Sequence, residues 1–250
     1  MRLRNSRLKI DRANKHIADI RARLVNLQDS ETSIVEIDPA TGGERLRHDF
    51  SDSKALTDIA LMVGDAVHNL KCALDYTWFQ TIERLAPAAV GKFSKFPVYQ
   101  YANQLKEAME GRKIHISAPA LLDLVLGKIN PCEGGNPAIW PIHKLDIRDK
   151  HRLLIPVFTN LSIMGIEVED KNGRRVVGNT WATTQSAPFC VDYEPGIHVK
   201  NKGQLAYEVI FEDVESGYFM HVPETIMHYS GLALKIVEVF ERFLESETGE

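Results

Sequence analysis

Three cysteines in 250 residues, Cys72, Cys132 and Cys190, are too few and too widely spaced for a zinc site or a disulfide framework. Their odd number, with Cys72 among apolar helical neighbours, fits a reducing cytoplasm. Long hydrophobic runs are missing too. Nothing approaches the roughly 20 apolar residues that a membrane span needs, and the charged first residues lack the apolar stretch of a signal peptide. The expected setting is cytoplasmic, with no membrane partner. Overall positive charge is also lacking: a formal net charge of −4 argues against a general coat for DNA. The glycines of "NPCEGGNP" (130–137) are followed by no Lys and so form no P-loop. The serine-hydrolase elbow GxSxG and the zinc motif HExxH do not occur. The strand segments carry no stacking-aromatic signature of an RNA-binding sheet.

What remains is an ordinary globular composition, 44% hydrophobic and 26% charged, enough to bury a sizeable core. Charge is unevenly spread. Residues 1–25 hold eight basic groups against Asp11 and Asp19, and the last fourteen residues carry five Glu and one Arg. Such faces are usually solvated, but the basic one could also collect a polyanion.

Periodicity places the elements. Ile10, Ala13, Ile17, Ile20, Leu24 and Leu27 recur at spacings of three and four, which predicts a helix over 5–29 with an a/d seam. That seam must face another helix of this chain or, in a homodimer, the same helix of a second copy. "SIVEI" and "ERLRHDF" around "DPATGG" predict a hairpin over 33–50. A long helix follows from Ser53 to Leu85, with Pro87 beyond its end. Shorter helices are expected at 101–111 and 117–128, the second with Pro119 in its first turn. From Leu153 the pattern turns to strands, with Asn172-Gly173 as a hairpin turn. Pro223 then opens a closing helix striped by Ile226, Tyr229, Ala233, Ile236, Phe240 and Phe243. The expected fold is one α+β domain over 1–250, a helical bundle (1–30, 53–150, 223–246) packed with an antiparallel sheet (153–215).

Chemistry concentrates in two segments. Along the long helix that carries "GDAVHNLKCALDY" (64–76), the residues Leu56, Ile59, Ala60, Val63, Val67, Leu70, Leu74 and Thr77 make the core face. Asp65, His68, Cys72 and Asp75 fall along a second line, interleaved with Leu61 and Phe79 as the lining of a cleft would be. A carboxylate one turn from His68 can hold the imidazole in one tautomer, which suits general acid–base work. The same carboxylates could instead only tie helices together, and Lys71–Asp75 is also a routine i,i+4 pair. The second segment, "WPIHKLDIRDKHRLL" (140–154), puts His143, Asp146 and Lys150 on one face of a helix that starts near Pro141. His151 and Arg152 follow at the helix-to-strand junction, a common place for functional side chains.

"HNLKCALDY" and "HKLDIRDKHRLL" resemble paired motifs in a group of largely uncharacterised bacterial and phage-associated proteins of similar length. There the first motif reads His-Asn-Leu-Arg-x-Ala-Leu-Asp-His and the second centres on Asp-Lys-His-Arg. The resemblance covers most of the chain and points to His68, Asn69, Asp75, Asp149, Lys150, His151 and Arg152. The first segment is also distantly similar to HEPN-type proteins, where an Arg and a His separated by four residues sit on a bundle helix. Many of these are metal-independent RNases or nucleotide binders in toxin and antiviral defence systems. Here Lys71 and Tyr76 stand in the two positions. Lys loses the bidentate grip on phosphate and Tyr is a poor base at neutral pH, so catalysis would have moved to His68 or His151, or been lost.

Three functions follow. The first is a hydrolase of a phosphodiester, RNA foremost, with His68 and His151 as base and acid, Asp75 in support, and Lys150 and Arg152 neutralising phosphate charge. Asp65, Asn69, Lys71, His143, Asp146 and Asp149 would line its binding site. The second is a small-molecule hydrolase with a divalent metal such as zinc, manganese or iron, its candidate ligands being Asp65, His68, Asp75, His143 and Asp146. Glu224 and His228 offer a further ligand pair, more simply read as surface groups. The third is a non-enzymatic module that binds a nucleotide. Cys132 beside Glu133 reads as a plain loop thiol.

Overall fold

A computed structural model describes residues 3–29, 32–49, 53–91, 94–151, 157–184, 189–212 and 219–249. The fold is α+β, and the chain divides into two compact units. One comprises residues 1–18, 62–155 and 223–250, the other 19–61 and 156–222.

The first unit is helical. It draws on α1 (Arg4–Asp29), α2 (Ser53–Leu85), α3 (Ala102–Gly111), α4 (Ile114–Ser117), α5 (Pro119–Asp123), α6 (Ile139–His151) and a closing helix, α7 (Val222–Thr248). The stripes read from the sequence are the buried ones: Ile10, Ala13 and Ile17 of α1, Val63, Val67, Leu70 and Leu74 of α2, and Ile226, Ala233, Ile236 and Phe240 of α7. Phe96 sets its ring edge-on to both Trp78 and Phe240, at 6.2 and 5.9 Å between centroids. Polar bonds fix register inside this apolar packing. Glu241 of α7 accepts from the Leu3 amide at 2.8 Å and from Arg7 Nε at 2.9 Å. Ser230 Oγ donates to Asn14 at 2.7 Å, and the Thr77 hydroxyl to Ser6 at 2.9 Å.

Two helix boundaries bear on the site. Asn136 Oδ1 accepts from the Ala138 and Ile139 amides, satisfying donors that the first turn of α6 leaves open, and Pro141 fits that turn because it needs no amide there. The expected helix over 117–128 is shorter than its pattern. It runs as α5 and then widens into a π-turn over Leu124–Ile129, where the Asn130 amide reaches back five residues to the Val125 carbonyl at 2.8 Å.

The second unit holds two antiparallel sheets. The predicted hairpin is β1 (Thr32–Ile37) and β2 (Glu44–Asp49), and β2 also pairs with β5 (Phe189–Asp192). The other sheet has the order β4–β3–β6–β7, built from β3 (Val157–Glu169), β4 (Arg175–Thr184), β6 (His198–Glu212) and β7 (Phe219–His221). The turn between β3 and β4 is the one expected at Asn172-Gly173. Gly173 takes φ +78°, and Asp170 Oδ1 accepts from the amides of Asn172 and Arg174. The segment 189–194 therefore joins the hairpin rather than the larger sheet, and Leu46, Ile163 and Ile166 form a core flanked by Phe189, Val191 and Leu205. Among the described residues no helix is long and apolar enough to cross a membrane.

Candidate functional site

The two chemistry-bearing segments meet in the helical unit. α2 and α6 approach so closely that Gly64 lies against the side chain of Asp149. A Cβ built at Gly64 would fall 2.2 Å from Asp149 Oδ1. One turn further along α2, His68 Nδ1 is 2.9 Å from Asp146 Oδ1. The other oxygen of Asp146 accepts from Lys150 Nζ at 2.7 Å. Asp146 is thus a shared acceptor with a side chain only 6% exposed, and the imidazole it holds is 41% exposed.

This pairing fixes the chemistry of the ring. A carboxylate accepts, so the neutral imidazole carries its proton on Nδ1 and turns the Nε2 lone pair outward. Nε2 faces the Cys72 thiol at 3.4 Å, one turn along α2. Burial pushes the Cys72 thiol up; Lys9 pulls it down, Asp75 pushes it up, Lys150 pulls it down and Asp146 pushes it up. Lys9, from α1, also donates to Asn69 Oδ1 at 3.2 Å, and the Asn69 amide nitrogen donates to the Asp65 carbonyl at 2.8 Å. The thiol beside this half-exposed imidazole therefore feels two ammonium groups from two other helices.

The remaining predicted residues lie as follows. Asp65, the sequence's first partner for His68, has an exposed side chain, and Asp146 takes that place. Lys71 is buried and paired with Asp75, which also accepts from the Phe96 amide at 2.9 Å. That pair ties α2 to the segment before α3. His143 is half-buried, and its Nδ1 has no hydrogen-bond partner among the described residues. Burial lowers its basicity, with Lys71 adding to the effect and Asp146 and Asp75 opposing it. Asp149 is raised, first by burial and then by Asp146 and Asp65. The backbone of His151 ends α6, but its side chain and all of Arg152 lie outside the described residues. Glu224 and His228 are both exposed on α7, and Cys132 is buried. Among the described residues no three His, Cys, Asp or Glu side chains gather as a metal-binding set. A cleft between Leu85, Pro119, Leu121 and Phe243 is lined by none of these residues.

Two members of the constellation are given no role by the sequence. Cys72 is already placed on the polar line of α2, four residues after His68 and so on the same helical face, but is not assigned to the site. Lys9 gives no such signal, since only tertiary packing brings α1 to Asn69. No protein-family model, curated protein or solved structure matches the chain.

Proposed function

We propose that this chain is a hydrolytic enzyme that cleaves a phosphodiester, RNA foremost, with His68 as its general acid–base group. The observation that carries this reading is the His68–Asp146 contact, which leaves Nε2 as the accepting nitrogen of a half-exposed ring, faced by the Cys72 thiol. In RNA the nearest nucleophile is the 2′-hydroxyl. His68 Nε2 takes its proton as the oxygen attacks phosphorus, and the P–O5′ bond breaks to leave a 2′,3′-cyclic phosphate. The 5′-oxygen takes a proton from solvent water, and the imidazolium returns its proton to the hydroxide so formed. The thiol now facing Nε2 is a weak donor and yields to a hydroxyl. Beyond the bond that Lys150 gives to Asp146, its ammonium has two further N–H donors with no acceptor among the described residues, and with Lys9 it offsets charge on the non-bridging oxygens. The distant HEPN resemblance agrees with this class but not with its usual residues. Lys71 is buried against Asp75, so the working base in this reading is His68.

Purified protein incubated with RNA in the presence of a chelator should cut it, leaving cyclic phosphate ends. His68→Ala should lower the rate by about a hundredfold or more, the usual worth of a general base. Asp146→Asn, which disturbs the tautomer rather than the ring, should fall between. Intact RNA after long incubation, or equal rates for the native and His68→Ala proteins, overturns the reading.

A nucleotide-binding module is the second reading, favoured by the same burial of Lys71, which removes a cation from the family's catalytic position. Nucleotide binding by calorimetry without turnover would select it.

A further inference from the structure

The contacts around His68 describe more than a base. Cys72 Sγ is 3.4 Å from His68 Nε2, and His68 Nδ1 is 2.9 Å from Asp146 Oδ1. Sulfur, imidazole and carboxylate therefore stand in line, each within hydrogen-bonding reach of the next. This is the order of nucleophile, base and orienting acid. We propose that Cys72 is a nucleophile activated by His68, with Asp146 as the positioning residue, and that it accepts acyl groups from activated carbonyl compounds such as esters and thioesters.

The three cysteines differ in what surrounds them. Cys132 is buried, and burial raises its thiol with no charged group opposing that rise. Cys190 lies on β5, paired across the sheet with Arg47. Cys72 is half-buried and faces a base that is itself held by a buried acid. Burial alone leaves Cys72 a neutral thiol, less reactive than a free one, because the thiolate is the nucleophile. The base changes that outcome, since the proton can pass to Nε2 as sulfur begins to bond.

The step balances without any outside oxidant or metal. The thiol proton moves to His68 Nε2 while sulfur bonds to the carbonyl carbon, and the C=O electron pair moves onto oxygen. The tetrahedral oxyanion collapses and expels the alcohol or thiol, which leaves with the proton from the imidazolium. Water then attacks the thioester. His68 takes a proton from that water and returns it to the departing sulfur, so the net reaction is ester plus water to acid plus alcohol. Lys9 and Lys150, whose charges already favour the thiolate, would also offset the oxyanion.

This inference shares His68 with the phosphodiester reading but needs no nucleic acid, so the two fail separately. The probes are iodoacetamide and p-nitrophenyl acetate, used on the full chain at neutral pH with labelled peptides read by mass spectrometry. Cys72 should alkylate faster than free glutathione at pH 7, and p-nitrophenol should appear as a burst with acetyl found on Cys72. His68→Gln and Asp146→Asn should each slow Cys72 labelling by about tenfold or more, with the buried Cys132 of the same unit still protected from labelling as a check on folding. His68 is the more exposed of the two, so its variant holds the test if the buried substitution disturbs the fold. Labelling of Cys72 slower than glutathione, or insensitive to both variants, shows only a buried thiol and overturns the proposal.

Discussion

Replacing Gly64 by Ala sets two effects against each other within α2. Ala is preferred to Gly inside a helix by about 1 kcal/mol. Against that, the new Cβ would lie 2.2 Å from Asp149 Oδ1, 2.7 Å from its Cγ and 3.0 Å from Oδ2. All three atoms belong to the half-buried Asp149 side chain, which must turn off its place between the helices to relieve the overlap; overpacking of this kind costs about 1–3 kcal/mol. Taking the middle of that range, Gly64→Ala should destabilise the protein by about 1 kcal/mol net. In an Asp149→Ala background the obstructing carboxylate is gone, and the same substitution should stabilise by about 1 kcal/mol. The coupling between the two positions is then about 2 kcal/mol, well above the few tenths expected of independent sites. Urea denaturation of the native chain, the two single variants and the double variant measures it. The cycle cancels whatever Asp149→Ala does by itself. If Gly64→Ala has the same effect with and without Asp149, α6 does not pack on α2 here, and the meeting of the two motif segments is refuted.

Two other expectations use the same unfolding measurements. Lys71 and Asp75 are paired, but Lys71 is 5% and Asp75 26% exposed, so removing either partner should not cost the same. Asp75→Ala strands a buried ammonium and strips the Phe96 amide of its acceptor, at about 3–5 kcal/mol. Lys71→Met leaves a partly hydrated carboxylate that keeps the Phe96 bond, so it should cost about 1 kcal/mol; the reverse order would contradict the assignment of Lys71 as the buried member. Acid should also weaken the fold through His48 and His143, both held below their ordinary value of 6.5, chiefly by burial. The unfolded chain binds these protons first, so their contribution is complete above about pH 6.5 and is lost as pH falls through the lowered folded values. Asp149, raised by burial, works in the opposite sense. The test is therefore the difference in pH slope between the native chain and a His48→Gln/His143→Gln variant, whose stability should fall less from pH 7 towards pH 5; equal slopes would dismiss the argument.

Elements declared by local periodicity were legible in the sequence. The α1 seam, the core face of α2 and the α7 stripe each repeat at helical spacing; most of those residues are buried, Leu24, Leu56 and Phe243 are half-buried, and the side chain of Leu27 lies outside the described residues. Pro141 and Asn172-Gly173 mark boundaries through backbone chemistry alone, and both fall where expected. Gly64 was a quieter signal. A glycine within a long helical pattern costs stability unless something must approach the backbone, and Asp149 does so. Properties of packing were not legible. β5 was read with the later strands because it lies near them in sequence, but its partner β2 lies more than 140 residues earlier. The π-turn after α5 leaves the apolar pattern unbroken, so periodicity could not reveal it. At the site, the line of polar groups along α2 was visible, yet the acid serving His68 was assigned to the same helix. Spacing reports which residues share a helix face; it says nothing of what the next helix places opposite.

That misassignment has a physical basis that bears on what the site can do. Asp65 is exposed, and an exposed carboxylate beside an imidazole competes with water for the ring proton, making a pair worth about 0–1 kcal/mol that leaves the ring free to turn. Asp146 is almost fully buried, so water does not compete, but a lone carboxylate there would be costly. Lys150 removes that cost by balancing the charge on the second oxygen while the first is left to His68. In the proposed reactions His68 would take up a proton with the carboxylate already facing Nδ1, so that nothing has to move to stabilise the imidazolium. Lys150 lies at the exposed edge of this pair, so in the proposed reaction the residue that makes a buried acid tolerable would also meet an anion arriving at Nε2. One lysine would thereby link the stability of the dyad to the charge of the substrate. The second segment accordingly matters less for its string of basic residues than for Asp146 and Lys150, one turn apart on the face of α6 that meets His68.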